Sequence, residues 1–223
     1  MRTRGPLITL VAVGVFAAIV LVVSLVRTPA PEAVNAAATE PPLAIAETPP
    51  PTTTPPTTTP APTREAVYTG LSSGEEVTVA VAVRGEKASA YICDGKRIES
   101  WLEGTVSGEQ VDLEGRNGAR LTATLSDIAA LGIITVGDRQ LPFSAAVAGP
   151  PAGIYEGTAT VDGEPNRIGW IVLPSGRQVG INNVAGNREP APVLDPTDID
   201  GFEIEGVAVD VKRIGGGDQV VPR

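Results

Sequence analysis

"EVTVAVAVRGEKASAYI" (Glu76–Ile92) is the stretch that decides the fold. Val77, Val79, Val81 and Val83 alternate with Thr78, Ala80, Ala82 and Arg84. That period of two belongs to a strand, because successive side chains leave a pleated backbone on opposite faces. Gly85-Glu86 supplies a two-residue turn. With it, Val83 opposes Ala88, Val81 opposes Ala90 and Val79 opposes Ile92, a hairpin with one apolar face.

The same texture recurs downstream. In "QVDLEGRNGARLTATL", Val111 and Leu113 face Leu121 and Leu125 across an Arg-Asn-Gly turn; "GIITVGDRQLPFSAA" and "RIGWIVLPSGRQVGI" follow the same plan. Ten or eleven short strands are expected between residues 67 and 182. The fold class is therefore all-β: an antiparallel meander closing into a barrel or sandwich of about 8–11 strands. Only Ser126–Leu131 has the texture of a helical turn. "YTG" (Tyr68–Gly70) and "YEG" (Tyr155–Gly157) each precede a long apolar hairpin, an internal echo. It would be explained by a barrel in which the second unit returns beside the first, removing exposed edges. Residues 183–223 lose this periodicity and regain it at Phe202–Ile214, a candidate edge strand in a partly ordered tail.

The first 66 residues have a different composition. "LITLVAVGVFAAIVLVVSLV" (residues 7–26) is uncharged, and twenty helical residues span about 30 Å, the thickness of a bilayer core. Arg2 and Arg4 precede it, whereas Glu32, Glu40 and Glu47 follow. The positive-inside rule then leaves residues 1–6 cytoplasmic and the rest of the chain outside a plasma membrane. Small-residue cleavage sites (Val34–Ala38) lie beyond Pro29 and Pro31, which favours an uncleaved signal-anchor. Residues 28–66 contain 11 prolines and 10 threonines and read as an extended, disordered spacer.

Charge excludes some partners. The net charge is −9, without a basic stripe, and nucleic acid needs clustered cations to displace its counterions. The chain has no histidine, so the usual general base and the commonest metal ligand are missing. Arginine outnumbers lysine 14 to 3, a skew that reads as coding bias.

Cys93 is the only cysteine and cannot form an intramolecular disulfide or a thiolate cluster; it reads as a small residue closing a strand. Trp170 continues the apolar alternation of Ile168 and Val172 and reads as core. Trp101 falls out of phase with Ile98, Leu102 and Val106, so either a bulge re-phases its strand or its ring lines a surface groove. Trp101 and Tyr91 are the candidate interaction residues. "DPTDIDGFEIEG" imitates part of a calcium loop, but Pro196 and Val207 stand where carboxylate ligands are needed, and an acidic turn is the better reading. No nucleophile elbow, phosphate loop or dinucleotide fingerprint occurs, so no catalytic residue, metal or cofactor is assigned.

"AYICDG" (Ala90–Gly95) followed by Trp101, then "GIYEG" (Gly153–Gly157) and "GWIVLPSGRQVG" (Gly169–Gly180), resembles a group of uncharacterised actinobacterial envelope proteins. These are similar in having one transmembrane helix, a proline-rich linker and an extracytoplasmic β-rich module. The resemblance implies location and architecture, and carries no activity. Together these readings predict a membrane-anchored, non-enzymatic β-domain that holds or docks an envelope protein. The alternative is a barrel carrying a lipid or other small apolar ligand.

Overall fold

A computed structural model describes residues 64–222, all of them β-structure, turns and connections apart from one 3₁₀ turn at Arg116–Gly118. The expected cytoplasmic segment, the expected membrane segment 7–26 and nearly all of the expected linker lie outside the described residues.

Eight strands close a barrel. They are β1 (Glu65–Ser72), β2 (Thr78–Arg84), β3 (Lys87–Cys93), β4 (Glu99–Ser107), β5 (Gln110–Gly115), β6 (Arg120–Leu125), β7 (Ala129–Val136) and β8 (Arg139–Val147). Each pairs antiparallel with its sequence neighbour, and β8 returns to β1 with Gly70 opposite Ala145. That seam is tight. A Cβ on Gly70 would lie 2.0 Å from the Ser144 carbonyl oxygen, so only glycine lets the two backbones meet there. The β2–β3 register places Val83 opposite Ala88, Val81 opposite Ala90 and Val79 opposite Ile92, as the alternation and turn require. In the β5–β6 hairpin Leu113 faces Leu121, but Val111 faces Ala123, and Leu125 pairs with Ala130 of β7. Ser126–Leu131 forms a bend and the start of β7 rather than a helical turn; the Ser126 hydroxyl caps it, accepting from the amide of Ala129 at 3.0 Å.

The barrel interior is solid. A chamber that admits water would leave its lining accessible, yet Val79, Val81, Ile92, Leu102, Leu121 and Ile134 are wholly inaccessible. Tyr68 also points into this core, its hydroxyl donating to the Ser126 carbonyl at 2.8 Å.

The chain after the barrel does not join it. Strands β9 (Gly153–Val161), β10 (Glu164–Val172), β11 (Gln178–Val184) and β12 (Asn187–Pro190) form a second antiparallel sheet, completed on the other edge by β15 (Asp210–Arg213) beside β9. The expected return of the second unit into one barrel is therefore corrected: closure is complete by Val147. The echoed tyrosines have different roles, since Tyr68 fills the barrel and Tyr155 lies on the outer side of the second sheet. The run Phe202–Ile214 is likewise divided. β13 (Glu203–Ile204) and β14 (Val207–Ala208) make a small hairpin, and only 210–213 join the sheet.

Three layers result. Ala80, Ala82, Tyr91, Cys93 and Trp101 on the outside of the barrel pack against Ile154, Ile171 and Ile181 of the second sheet and Ile214 just beyond it. The sheet's other face, with Tyr155, Ile168, Trp170, Val172 and Val211, is covered by Leu194 and Val209 from the C-terminal region. β2 and β3 are thus buried on both sides, and carry no charge except at their turn ends, whereas β5 and β6 alternate buried and exposed.

Candidate functional site: an arginine-lined groove between the layers

The barrel and second sheet diverge at one end and leave a groove of about 1150 Å³. Its barrel wall begins at the β3–β4 turn. There the Asp94 carboxylate accepts the backbone amides of Lys96, Arg97 and Ile98 at 2.7, 2.7 and 2.9 Å. One short acidic side chain next to a glycine satisfies three amides that the turn would otherwise leave unpaired, and so holds the loop that carries Arg97.

Beyond the turn, β4 pairs with β3 without interruption from Cys93–Glu99 to Lys87–Thr105. No bulge re-phases it. Trp101 is out of phase with Leu102 because it sits on the outer face of the barrel, opposite Tyr91 in register, while Leu102 points inward. The two rings stack at 4.1 Å between centroids, tilted by 30°. Both are buried: Tyr91 is inaccessible and Trp101 is 7% exposed. Trp101 borders the groove, and Tyr91 lies beneath it.

Charged groups surround this pair. The Tyr91 hydroxyl donates to Glu99 Oε1 at 3.2 Å, and Arg188 Nε donates to Glu99 Oε2 at 3.3 Å. Burial, reinforced by Cys93 and Glu99, pushes the Tyr91 phenol well above its ordinary range, so it stays a donor. Arg167 lies over the Trp101 ring at 4.7 Å and pairs with Glu156 Oε1, whose other oxygen holds Lys212 at 3.0 Å. Arg116 Nε and Nη2 donate to the Pro222 carbonyl at 3.0 and 2.7 Å.

Arg97, Arg116, Arg167 and Arg188 thus border a groove whose lining, among the described residues, holds one carboxylate, Glu99. The contrast with the rest of the domain is large: residues 64–222 hold 13 Lys/Arg against 23 Asp/Glu. None of the four was singled out from sequence. They come from β10, β12, the 3₁₀ turn and the β3–β4 loop, and no local spacing unites them; the one hint was the arginine excess. The Trp101 indole N–H, also at this site, has no acceptor among the described residues.

The nucleophile and the carboxylate nearest the groove are both held by their surroundings. Cys93 is inaccessible beneath the second sheet, and burial pushes its thiol up to about 12, far from a usable thiolate at neutral pH. Glu99, the groove's carboxylate, is engaged by Tyr91 and Arg188. The acidic segment at 195–201 is separate: Asp195 accepts from the Thr197 hydroxyl and amide, which hold its carboxyl below the usual range. No group of three potential ligands that could hold a metal occurs among the described residues, and none of their helices is long and apolar enough to cross a membrane. No protein-family model, curated protein or solved structure matches the chain.

Proposed function

We propose that this chain is a membrane-tethered interaction module. Residues 7–26 anchor it, residues 28–66 space it from the bilayer, and the β-domain presents the groove to an extracytoplasmic partner without transforming it. The observation that carries this reading is the groove itself: a donor-rich concavity of about 1150 Å³ over a buried Tyr91–Trp101 pair, on an otherwise acidic domain. Clustered arginines beside buried aromatic rings are the composition from which protein-binding hot spots are built. The solid barrel favours docking over carriage, because a lipid would have to replace side chains that already fill the interior.

The test is site-specific photo-crosslinking in intact cells producing the full chain. A crosslinker at Ser100, in the groove, is expected to give a discrete adduct that the same group at Thr124, on the solvated side of β6, does not give. Equal adducts from both positions, or none from Ser100, would refute the reading. Organic extraction of the purified chain addresses carriage: a stoichiometric lipid would replace docking with transport.

A further inference from the structure

We infer that the groove takes an acidic peptide segment of its partner, an assignment that rests on the docking reading above and specifies its ligand. The structure already contains a peptide laid along one end. Residues 220–222 cross the junction between barrel and sheet, and side chains hold two of their amides and two of their carbonyls. Glu103 Oε2 accepts the amides of Val220 and Val221 at 3.1 and 3.4 Å. Arg167 donates to the Val220 carbonyl and Arg116 to the Pro222 carbonyl. Side chains from the barrel and the second sheet thus grip a short irregular stretch of backbone, bent at Val221, without help from a sheet ladder.

The same groove is also lined by Arg97, Ser100, Asn183 and Arg188. These groups are mostly donors, so the occupant must be rich in acceptors and negatively charged. A planar guanidinium pairs with a carboxylate through two parallel hydrogen bonds, which suits glutamate or aspartate side chains. The buried Trp101 N–H, bordering the same groove, is an independent sign of a missing acceptor. A buried donor left without an acceptor is destabilising, and a partner's carbonyl or carboxylate oxygen brought to it relieves that penalty. Nucleic acid is disfavoured, because the surrounding domain is acidic and offers no basic track along a phosphate backbone.

The experiment measures fluorescence anisotropy of a fluorescein-labelled ten-residue peptide of alternating Glu and Ala, titrated with the full chain in detergent micelles. A Gln–Ala peptide serves as neutral control. Saturable binding of the acidic peptide is expected, weakening as salt rises. Arg97→Glu should weaken it about fivefold, and Arg97→Glu with Arg188→Gln about tenfold or more. Arg97 is exposed and its reversal leaves the packing intact; Arg139→Glu, outside the groove, should have no effect on affinity. Equal binding of the Gln–Ala peptide, or unchanged affinity in both groove variants, would overturn the inference. Binding of an oligogalacturonate but not of the Glu–Ala peptide would overturn it in favour of an acidic glycan. A groove-specific crosslink at Ser100 without acidic-peptide binding would sink the ligand class alone and leave the docking reading standing.

Discussion

Tyr91 and Trp101 stack 4.1 Å apart on the outer surface of a β-barrel, yet they lie inside the molecule, because a second sheet closes over them. The closure depends on Gly169 of β10. A Cβ there would lie 2.4 Å from Tyr91 Cζ and 2.7 Å from Trp101 Cζ2.

Gly169→Ala should therefore push sheet and barrel apart. Overpacking of this kind costs about 1–3 kcal/mol, read as a lower midpoint in urea unfolding. Gly149→Ala is the control, since nothing lies within 4 Å of its added methyl and its backbone is not left-handed. Its effect should stay within about 0.5 kcal/mol. Equal midpoints for the two variants would mean that the interface yields freely.

Cys93 should resist iodoacetamide at pH 8 in the folded protein and react at once when unfolded. Its thiol is pushed up to about 12 by burial, and Tyr91 beside it is raised well above the ordinary phenol range. The native state holds these protons more tightly than the unfolded chain does. Their contribution to stability is complete below the unfolded thiol value and is lost as pH rises through the window to about 12. Urea midpoints should fall progressively above about pH 9, and Cys93→Ala should make that fall shallower. Rapid alkylation of the folded chain at pH 8 would show that the covering sheet opens readily.

Deleting residues 218–223 should remove a structural plug. Val220 is 2% exposed within the cluster that joins barrel and sheet, and Ser89 donates to the Asp218 carbonyl at 2.9 Å. Burying one valine contributes about 1.5–3 kcal/mol, so Tm should fall by about 4–10 °C, with a red shift of tryptophan emission as Trp101 is uncovered. An unchanged Tm and emission maximum would make the tail dispensable to the fold.

Glu156→Gln should be more damaging than Lys212→Met. Glu156 is 7% exposed and pairs with both Arg167 and Lys212, whereas the lysine is more than half exposed. Neutralising the buried carboxylate leaves Arg167 without its counter-ion over Trp101, at about 2 kcal/mol or more. Removing the exposed lysine should cost less than about 1 kcal/mol. Chemical denaturation ranks the two, and the reverse order would show that the pairing matters little.

Much of the β-structure was legible because its signals are local. The β2–β3 register follows from four alternating valines and one Gly-Glu turn, and the strand count of the repeating region from its spacing of glycines. Closure into a barrel or sandwich was legible from the strand count, but the closing strand was not, since pairing β8 with β1 joins residues more than seventy positions apart through a seam whose local mark is only a glycine. The buried outer face did leave a trace: β2 and β3 offer alanines, Tyr91 and Cys93 where β5 and β6 offer Asp112, Glu114 and Arg120. Alternation was read there as one apolar and one free face, and Trp101 looked misplaced for the same reason. When both faces are covered, phase distinguishes inside from outside but not buried from exposed. The groove was illegible because its arginines converge only in three dimensions.

The order of strands in the barrel also sets an order of assembly. All eight are consecutive and none requires a residue beyond Val147 for its pairing, so the barrel can close while the remainder of the chain is still emerging. β15 must wait for nearly the whole chain, because its partner β9 is some fifty residues upstream. Until β9, β10 and β11 fold over the barrel, the nascent molecule presents Ala80, Ala82, Tyr91, Cys93 and Trp101 as a sticky, oxidisable patch. That interval, rather than the finished structure, is when the chain's one thiol is vulnerable.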